Sequence, residues 1–162
     1  MPNSNDFTDR ARKAILVAKE EAVKRGHGLA EPGHLLVALL KVGGVGSEVL
    51  RIVSGGLDHV SNAVEISIER GNAEAPRPVT FWTRLLILIG WQSQPMSPQL
   101  KHAIEFAIQD AAALGDKYIG TEHMLLGILR LGDSIAAGTL EMLKVDYERV
   151  RKQLLLLRAT AH

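Results

Sequence analysis

Between Asp9 and Arg25 the apolar positions Ala11, Ala14, Ile15, Ala18 and Ala22 fall three or four residues apart. That spacing places their side chains on one face of an α-helix. Thr8 stands where a hydroxyl can cap the helix start, and Gly26 where a left-handed residue can end it. A second apolar run, His34 to Leu40, predicts a second helix. A Gly-containing turn then leads to a short third helix, and a fourth starts near Asp58, placed as its N-cap, and ends near Gly71.

The same pattern returns 89 residues later. Ala14-Ile15 falls on Ala103-Ile104, Ala18 on Ala107, Ala22 on Ala111, Gly26 on Gly115, His34 on His123 and Leu36 on Leu125. Beyond Gly43 and Gly132 the register drifts by about one residue, as a loop insertion would cause, and Asp58 then corresponds to Asp146. In the second copy Ser97-Pro98 is a capping Ser followed by Pro at the first helical position. A self-match of this length predicts an all-α fold of tandem duplicated four-helix repeats, about eight helices in total. The divisions expected are repeat 1 at 1–71, a linker at 72–95 and repeat 2 at 96–162. Four short helices form a marginal core alone, so the two copies are expected to pack as one globule with pseudo-two-fold character.

Composition narrows the chemistry. Aromatic residues make up only 4% of the chain, so the core must be aliphatic, which suits helices better than a β-sandwich. Nineteen basic and eighteen acidic residues leave a net charge of +1, without the concentrated basic surface of a nucleic-acid binder. There is no cysteine, which excludes disulfides, thiol catalysis and thiolate metal sites. The polar N-terminus lacks an apolar signal core. The longest apolar run, Val79 to Trp91, is interrupted by Arg84 and is shorter than the ~20 residues of a membrane span. A cytoplasmic protein with no membrane partner is expected.

The second copy reads Gly115-Asp116-Lys117-Tyr118-Ile119-Gly120-Thr121-Glu122-His123-Met124-Leu125-Leu126-Gly127-Ile128-Leu129. This closely resembles the signature of the Clp N-terminal repeat, roughly LGH-x-x-(I/V)-GTEH-(I/L)-LLGL. Phe7-Thr8-Asp9-Arg10-Ala11 and the Gly26-His27 turn resemble the opening of the same family. The resemblance, to domains of the ClpA/ClpC type, covers both repeats but brings no ATPase module. It implies an all-helical domain that selects proteins for unfolding or docks adaptors ahead of an ATPase ring. It also implies a reader of phosphorylated arginine, with one pocket per repeat built around the GTEH segment. A helix N-terminus offers free N–H groups to a phosphate, and a carboxylate can pair with a guanidinium.

Carried over position by position, the resemblance makes Gly120, Thr121, Glu122 and His123 the candidate ligand-binding residues. Repeat 1 has Glu31, Pro32, Gly33 and His34 at the equivalent places. It lacks the Thr hydroxyl and the Glu carboxylate, and Pro32 removes a backbone donor. Its pocket is therefore expected to be dead. Two blander readings stand beside this: Glu122 as an acidic residue favoured by the helix dipole, and Thr121 as an N-cap. His34 and His123 recur although the residues around His34 have changed, which favours packing or capping. No second histidine stands at metal-ligand spacing, and neither a metal nor a cofactor is expected.

Gly43-Gly44-Val45-Gly46-Ser47 lacks the Gly-Lys-Ser/Thr ending of a phosphate loop and reads as a turn between helices. Arg149-Val150-Arg151-Lys152 reads as the solvated face of the last helix. With no HExxH, GxSxG or Walker motif, the chain is not expected to be an enzyme. The linker holds both tryptophans, and Phe81, Trp82 and Trp91 are candidate partner-binding residues. A docking segment, a dimer contact, an aggregation-prone strand and a cover for apolar surface all stay open for it.

Two functions follow from these observations. The first is a non-catalytic recognition module with protein clients, adaptors or a Clp ATPase as partners, acting as adaptor, decoy or sequestering protein. The alternative is a structural or assembly protein with vestigial pockets, which self-associates, as a homodimer for instance, through the apolar linker.

Overall fold

The structure, a computed structural model, describes residues 6–71 and 95–160. The candidate partner residues Phe81, Trp82 and Trp91 lie outside the described residues. Within them are eight α-helices: α1 Asp9–Lys24, α2 Pro32–Val42, α3 Val45–Ser54 and α4 Leu57–Gly71, then α5 Pro98–Ala113, α6 Thr121–Leu129, α7 Ile135–Met142 and α8 Tyr147–Thr160. The all-α tandem fold read from the sequence is the one observed.

Local chemistry explains the boundaries. The hydroxyls of Thr8, Ser97 and Ser134 accept hydrogen bonds from the backbone N–H groups of Ala11, Leu100 and Ala137, closing the starts of α1, α5 and α7. Asp146 caps α8 in the same way, through Arg149 N–H at 2.9 Å. Its expected counterpart does not: α4 begins at Leu57, so Asp58 sits inside the first turn instead of capping it. There Asp58 faces the positive end of the helix dipole, which suits a carboxylate without a capping bond. Gly26 and Gly115 follow α1 and α5 at φ 72° and 75°, where a side chain would be strained.

The two repeats clasp each other reciprocally. Phe7 pairs with Ile119 and Ala30 with Met96 in two isolated parallel β-bridges. Thr8 N–H donates to Ile119 O at 3.0 Å, and its counterpart Ser97 N–H donates to Ala30 O at 2.8 Å. Each repeat's opening segment thus closes on the other repeat's loop before its second helix. The third helices also cross over: α3 packs on α6 and α8, and α7 on α2 and α4. One aliphatic core results, in which Leu35, Leu36, Leu39 and Leu50 are continuous with Leu100, Met124, Leu125 and Leu140.

Candidate functional site

The start of α6 carries the residues singled out from the sequence. Gly120 is its N-cap, so Thr121 occupies the first helical position and is not the cap. Thr121 is only 3% exposed, and its Oγ1 accepts a hydrogen bond from Gly46 N–H at 3.1 Å, across the repeat boundary. The glycine-rich stretch is therefore more than a turn. Gly43 and Gly44 form the turn, α3 begins at Val45, and Gly46 lies against repeat 2. A Cβ at Gly46 would stand 2.6 Å from Thr121 O.

His123 is buried beneath this helix start. Its Nδ1 accepts from Gly120 N–H at 3.0 Å, as His34 Nδ1 accepts from Glu31 N–H at 2.9 Å in repeat 1. Both histidines therefore satisfy a backbone donor at a helix end, in the role a Glu or Gln plays in a capping box. With Nδ1 accepting, the ring proton of a neutral imidazole belongs on Nε2. A second histidine does approach His34: Nδ1 of His27 lies 2.7 Å from its Nε2. With the His34 proton on Nε2, that contact is a hydrogen bond donated to His27 Nδ1. Burial, then the His27 and Arg25 charges, hold His34 at a pKa of about 3, so it is neutral at physiological pH.

In repeat 2 an aspartate takes the place of His27. Asp116 Oδ2 lies 2.8 Å from His123 Nε2 and also pairs with Arg158 Nη2 near the end of α8. Asp116, Glu122 and His123 bring potential ligand atoms within 4.8 Å of one another. They do not fit a metal, however. Coordination through Nε2 would move the ring proton to Nδ1, where it would collide with Gly120 N–H.

Glu122 is the distinctive group. Its side chain is 15% exposed and folds back over Gly120, which has no Cβ to obstruct it. Among the described residues it accepts no hydrogen bond, and His123 Nδ1, which is occupied by Gly120 N–H, lies 3.9 Å from its Oε1. It lines an open cleft of about 520 Å³ between the repeats. Arg10 from α1, Val45 and Ser47 from α3, and Leu157 and Arg158 from α8 are among the other residues of its wall. Glu48 lies at the rim, committed to Arg51 by two hydrogen bonds of 3.0 and 2.6 Å.

The pseudo-two-fold mate of this cleft has closed. Around Glu31, Pro32 and Gly33 the cavity is about 20 Å³. Gln99 replaces Arg10, Gly33 replaces Glu122, and Ile68 of α4 lines the cavity. A Cβ at Gly33 would stand 2.9 Å from Ile68 Cγ1, so the isoleucine fills the space a longer side chain would need.

The structure brings Gly120, Thr121, Glu122 and His123 together but divides their work. Glu122 alone presents an uncommitted side chain to the cleft, Thr121 joins the repeats, and His123 caps. The sequence reading missed Arg10, Asp116 and Arg158. Arg10 was within reach, because the 89-residue offset sets it against Gln99 just as it sets Glu122 against Gly33. Asp116 and Arg158 are 42 residues apart, and only the packing of α8 joins them.

These features define a double-repeat helical domain with an open, charged cleft between its halves. The chain belongs to the Clp repeat (R) N-terminal domain family, whose profile matches residues 6–85 and 91–160. It is 33% identical over 152 residues to the "Negative regulator of genetic competence ClpC/MecB" of Bacillus subtilis, covering 93% of this chain and 17% of that protein. It is also 33% identical over 150 residues to "Chaperone protein ClpC2, chloroplastic" of Oryza sativa, covering 92% of this chain and 15% of that protein. The chain thus spans about a sixth of the length of these relatives. Among solved structures, the N-terminal domain of ClpD from Arabidopsis thaliana superposes with a TM-score of 0.67 at 21% identity, covering 96% of each chain. The Hsp104 N-terminal domain from Candida albicans gives 0.68 at 19% identity, covering 94% of this chain and 91% of that one. The likeness at these identities is one of fold.

Proposed function

We propose that this chain is a non-catalytic recognition module of the Clp protein-unfolding and proteolysis system, acting in the cytoplasm on protein clients or adaptors. Its ligand is a phosphoarginine-like group on a polypeptide, held in the cleft around Glu122. Residues 1–71 and 96–162 serve as its two repeat units, joined by 72–95.

One observation carries this reading: the two pseudo-equivalent pockets differ in volume and charge together. The repeat 2 cleft is open at about 520 Å³ and holds an uncommitted carboxylate at the second residue of its helix, whereas its mate is about 20 Å³, has Gly33 at that position with Glu31 at the helix N-cap, and holds no arginine. Glu122 suits a guanidinium by bidentate pairing. The cleft is bordered by the start of α3, and Val45 and Ser47 have no intrahelical partner for their N–H groups there. These donors and Arg10 suit a phosphate. The closed pocket of repeat 1 favours a second reading, an assembly protein in which both sites are vestigial and contacts are made elsewhere.

Calorimetric titration with a phosphoarginine-bearing peptide, on the wild type and on Glu122→Ala, separates the two. Saturable one-site binding that Glu122→Ala abolishes supports the recognition module. No binding by the wild type removes the phosphoarginine reading and leaves assembly.

A further inference from the structure

Arg158 and Asp116 have no part in the motif that identifies the site, yet they connect its parts. The Arg158 guanidinium reaches the cleft wall from α8 and gives one N–H to Asp116 Oδ2. No other hydrogen bond engages it among the described residues, so most of its five donors are uncommitted. The Arg158 side chain is 32% exposed, accessible to a ligand without being free in solvent. Asp116 also stands 2.8 Å from Nε2 of His123, the residue that caps the helix carrying Glu122. The cleft's carboxylate and this guanidinium come from α6 and α8, and Asp116 stands between them, bonded to Arg158 and close to His123 Nε2, which makes no hydrogen bond among the described residues.

Repeat 1 provides an internal control. At the positions of Arg10, Asp116 and Glu122, which lie before or within the 89-residue register, the matching residues are Gln99, His27 and Gly33. The Arg10 and Glu122 charges of the open cleft, and the Asp116 that pairs with Arg158, have no charged counterpart at those positions in the other repeat. A purely structural Asp116–Arg158 pair gives no reason for that coincidence.

We propose that Arg158, positioned by Asp116, is a specificity-determining residue of the cleft: it binds the phosphoryl group of a ligand whose guanidinium is held by Glu122. The inference rests on the phosphoarginine reading above and adds a third, specificity-setting group to the α3 donors and Arg10 on its anion-binding side. Glu122 alone accepts arginine and phosphoarginine alike. Arg158 favours the phosphorylated form, since a guanidinium attracts a phosphate by charge and by paired hydrogen bonds and repels an unmodified arginine.

The test is calorimetry on the full chain with two peptides identical except for phosphorylation of one arginine. In wild type the phosphorylated peptide binds at one site. Arg158→Gln is expected to weaken that peptide on the order of tenfold, the worth of one charge-assisted hydrogen bond, and to leave or slightly improve binding of the unmodified one. Arg158→Lys retains part of the preference. Asp116→Asn lowers it severalfold, and the double variant Asp116→Asn/Arg158→Gln is no worse than Arg158→Gln alone, as expected of a residue that acts through another. If Arg158→Gln leaves the phosphorylated peptide unaffected, or weakens both peptides equally, while Glu122→Ala still abolishes binding, Arg158 is overturned and the site stands. If the wild type binds neither peptide, the site and this assignment fall together.

Discussion

Nζ of Lys41 on α2 lies 2.8 Å from Oε1 of Glu21, a carboxylate buried to 2% exposure on α1. At the same place in the second repeat, Arg130 Nη1 stands 3.3 Å from Oδ1 of Asp110, likewise buried. Each repeat thus bolts its first two helices with one buried acid and one partly exposed base, but the surroundings differ. Glu21 is also bound by Lys24 and Arg25, whereas Asp110 has otherwise only the Tyr147 hydroxyl at 2.9 Å, with Oδ2 unpartnered.

Removing the base is therefore expected to cost more in repeat 2. Arg130→Met strands a buried carboxylate with one neutral donor and is expected to cost about 3 kcal/mol. It also removes the guanidinium stacked 4.2 Å from the Phe106 ring centroid. Lys41→Met leaves Glu21 two cations and is expected to cost about 1 kcal/mol. Urea unfolding of the two variants measures the difference, and equal losses would mean that the extra partners of Glu21 contribute nothing.

The His27–His34 pair predicts how stability falls in acid. His34 has a pKa of about 3 in the fold, against 6.5 when exposed. Its contribution is fully present above pH 6.5 and is lost as pH falls from there toward 3, by about 1.4 kcal/mol per pH unit. Burial raises the Glu21 carboxyl, but its Lys41, Arg25 and Lys24 hydrogen bonds outweigh this and hold it at about 2, against 4.5. That contribution disappears in a lower window, from pH 4.5 toward 2. Unfolding free energy is thus expected to decline already between pH 6.5 and 5, before the carboxylates titrate. His34→Gln preserves an acceptor for Glu31 N–H without the titration and is expected to flatten that upper window while leaving the lower one. An unchanged slope between pH 6.5 and 5 would assign it to another group.

The joint between the repeats depends on a close backbone approach at Gly46. With a Cβ there 2.6 Å from Thr121 O and 3.0 Å from Glu122 N, Gly46→Ala must push α3 away from α6. An expected loss of about 1–3 kcal/mol is combined with distortion of the cleft, so affinity for the phosphorylated peptide falls as well. Thr121→Val keeps the shape but removes the acceptor of Gly46 N–H and is expected to cost about 1–3 kcal/mol for the unsatisfied donor. Chemical denaturation of both variants checks these values.

Much of the architecture was legible because it repeats. The single offset of 89 residues that aligns Ala14 with Ala103 also aligns the two β-bridges, Phe7–Ile119 with Met96–Ala30. Caps such as Thr8 and Ser97 were readable because the hydroxyl and its N–H lie three residues apart. The same offset sets Glu21 on Asp110 and Lys41 on Arg130, a signal present in the sequence and left unused. The Thr121–Gly46 bond and the Asp116–Arg158 bridge were out of reach, because neither partner announces the other across 75 and 42 residues. The loss of the first pocket was half legible: Gly33 shows that the carboxylate is missing, while only packing shows that Ile68 has filled the space.

That filling makes a quantitative prediction of its own. Ile68 is 4% exposed, and its Cγ1 would lie 2.9 Å from a Cβ on Gly33. Gly33→Glu alone overpacks the site and is expected to cost about 1–3 kcal/mol, although an acidic residue suits the first turn of α2. Ile68→Ala alone leaves a cavity and is expected to cost about 2–4 kcal/mol. If the two side chains compete for one volume, the double variant costs less than the sum, with a coupling of more than about 0.5 kcal/mol. The cycle is read by urea unfolding. Strict additivity would show that Ile68 does not close the pocket and that its small volume has another cause. A clear coupling would make Gly33→Glu/Ile68→Ala the background on which to rebuild a second cleft, with Gln99→Arg as the next substitution.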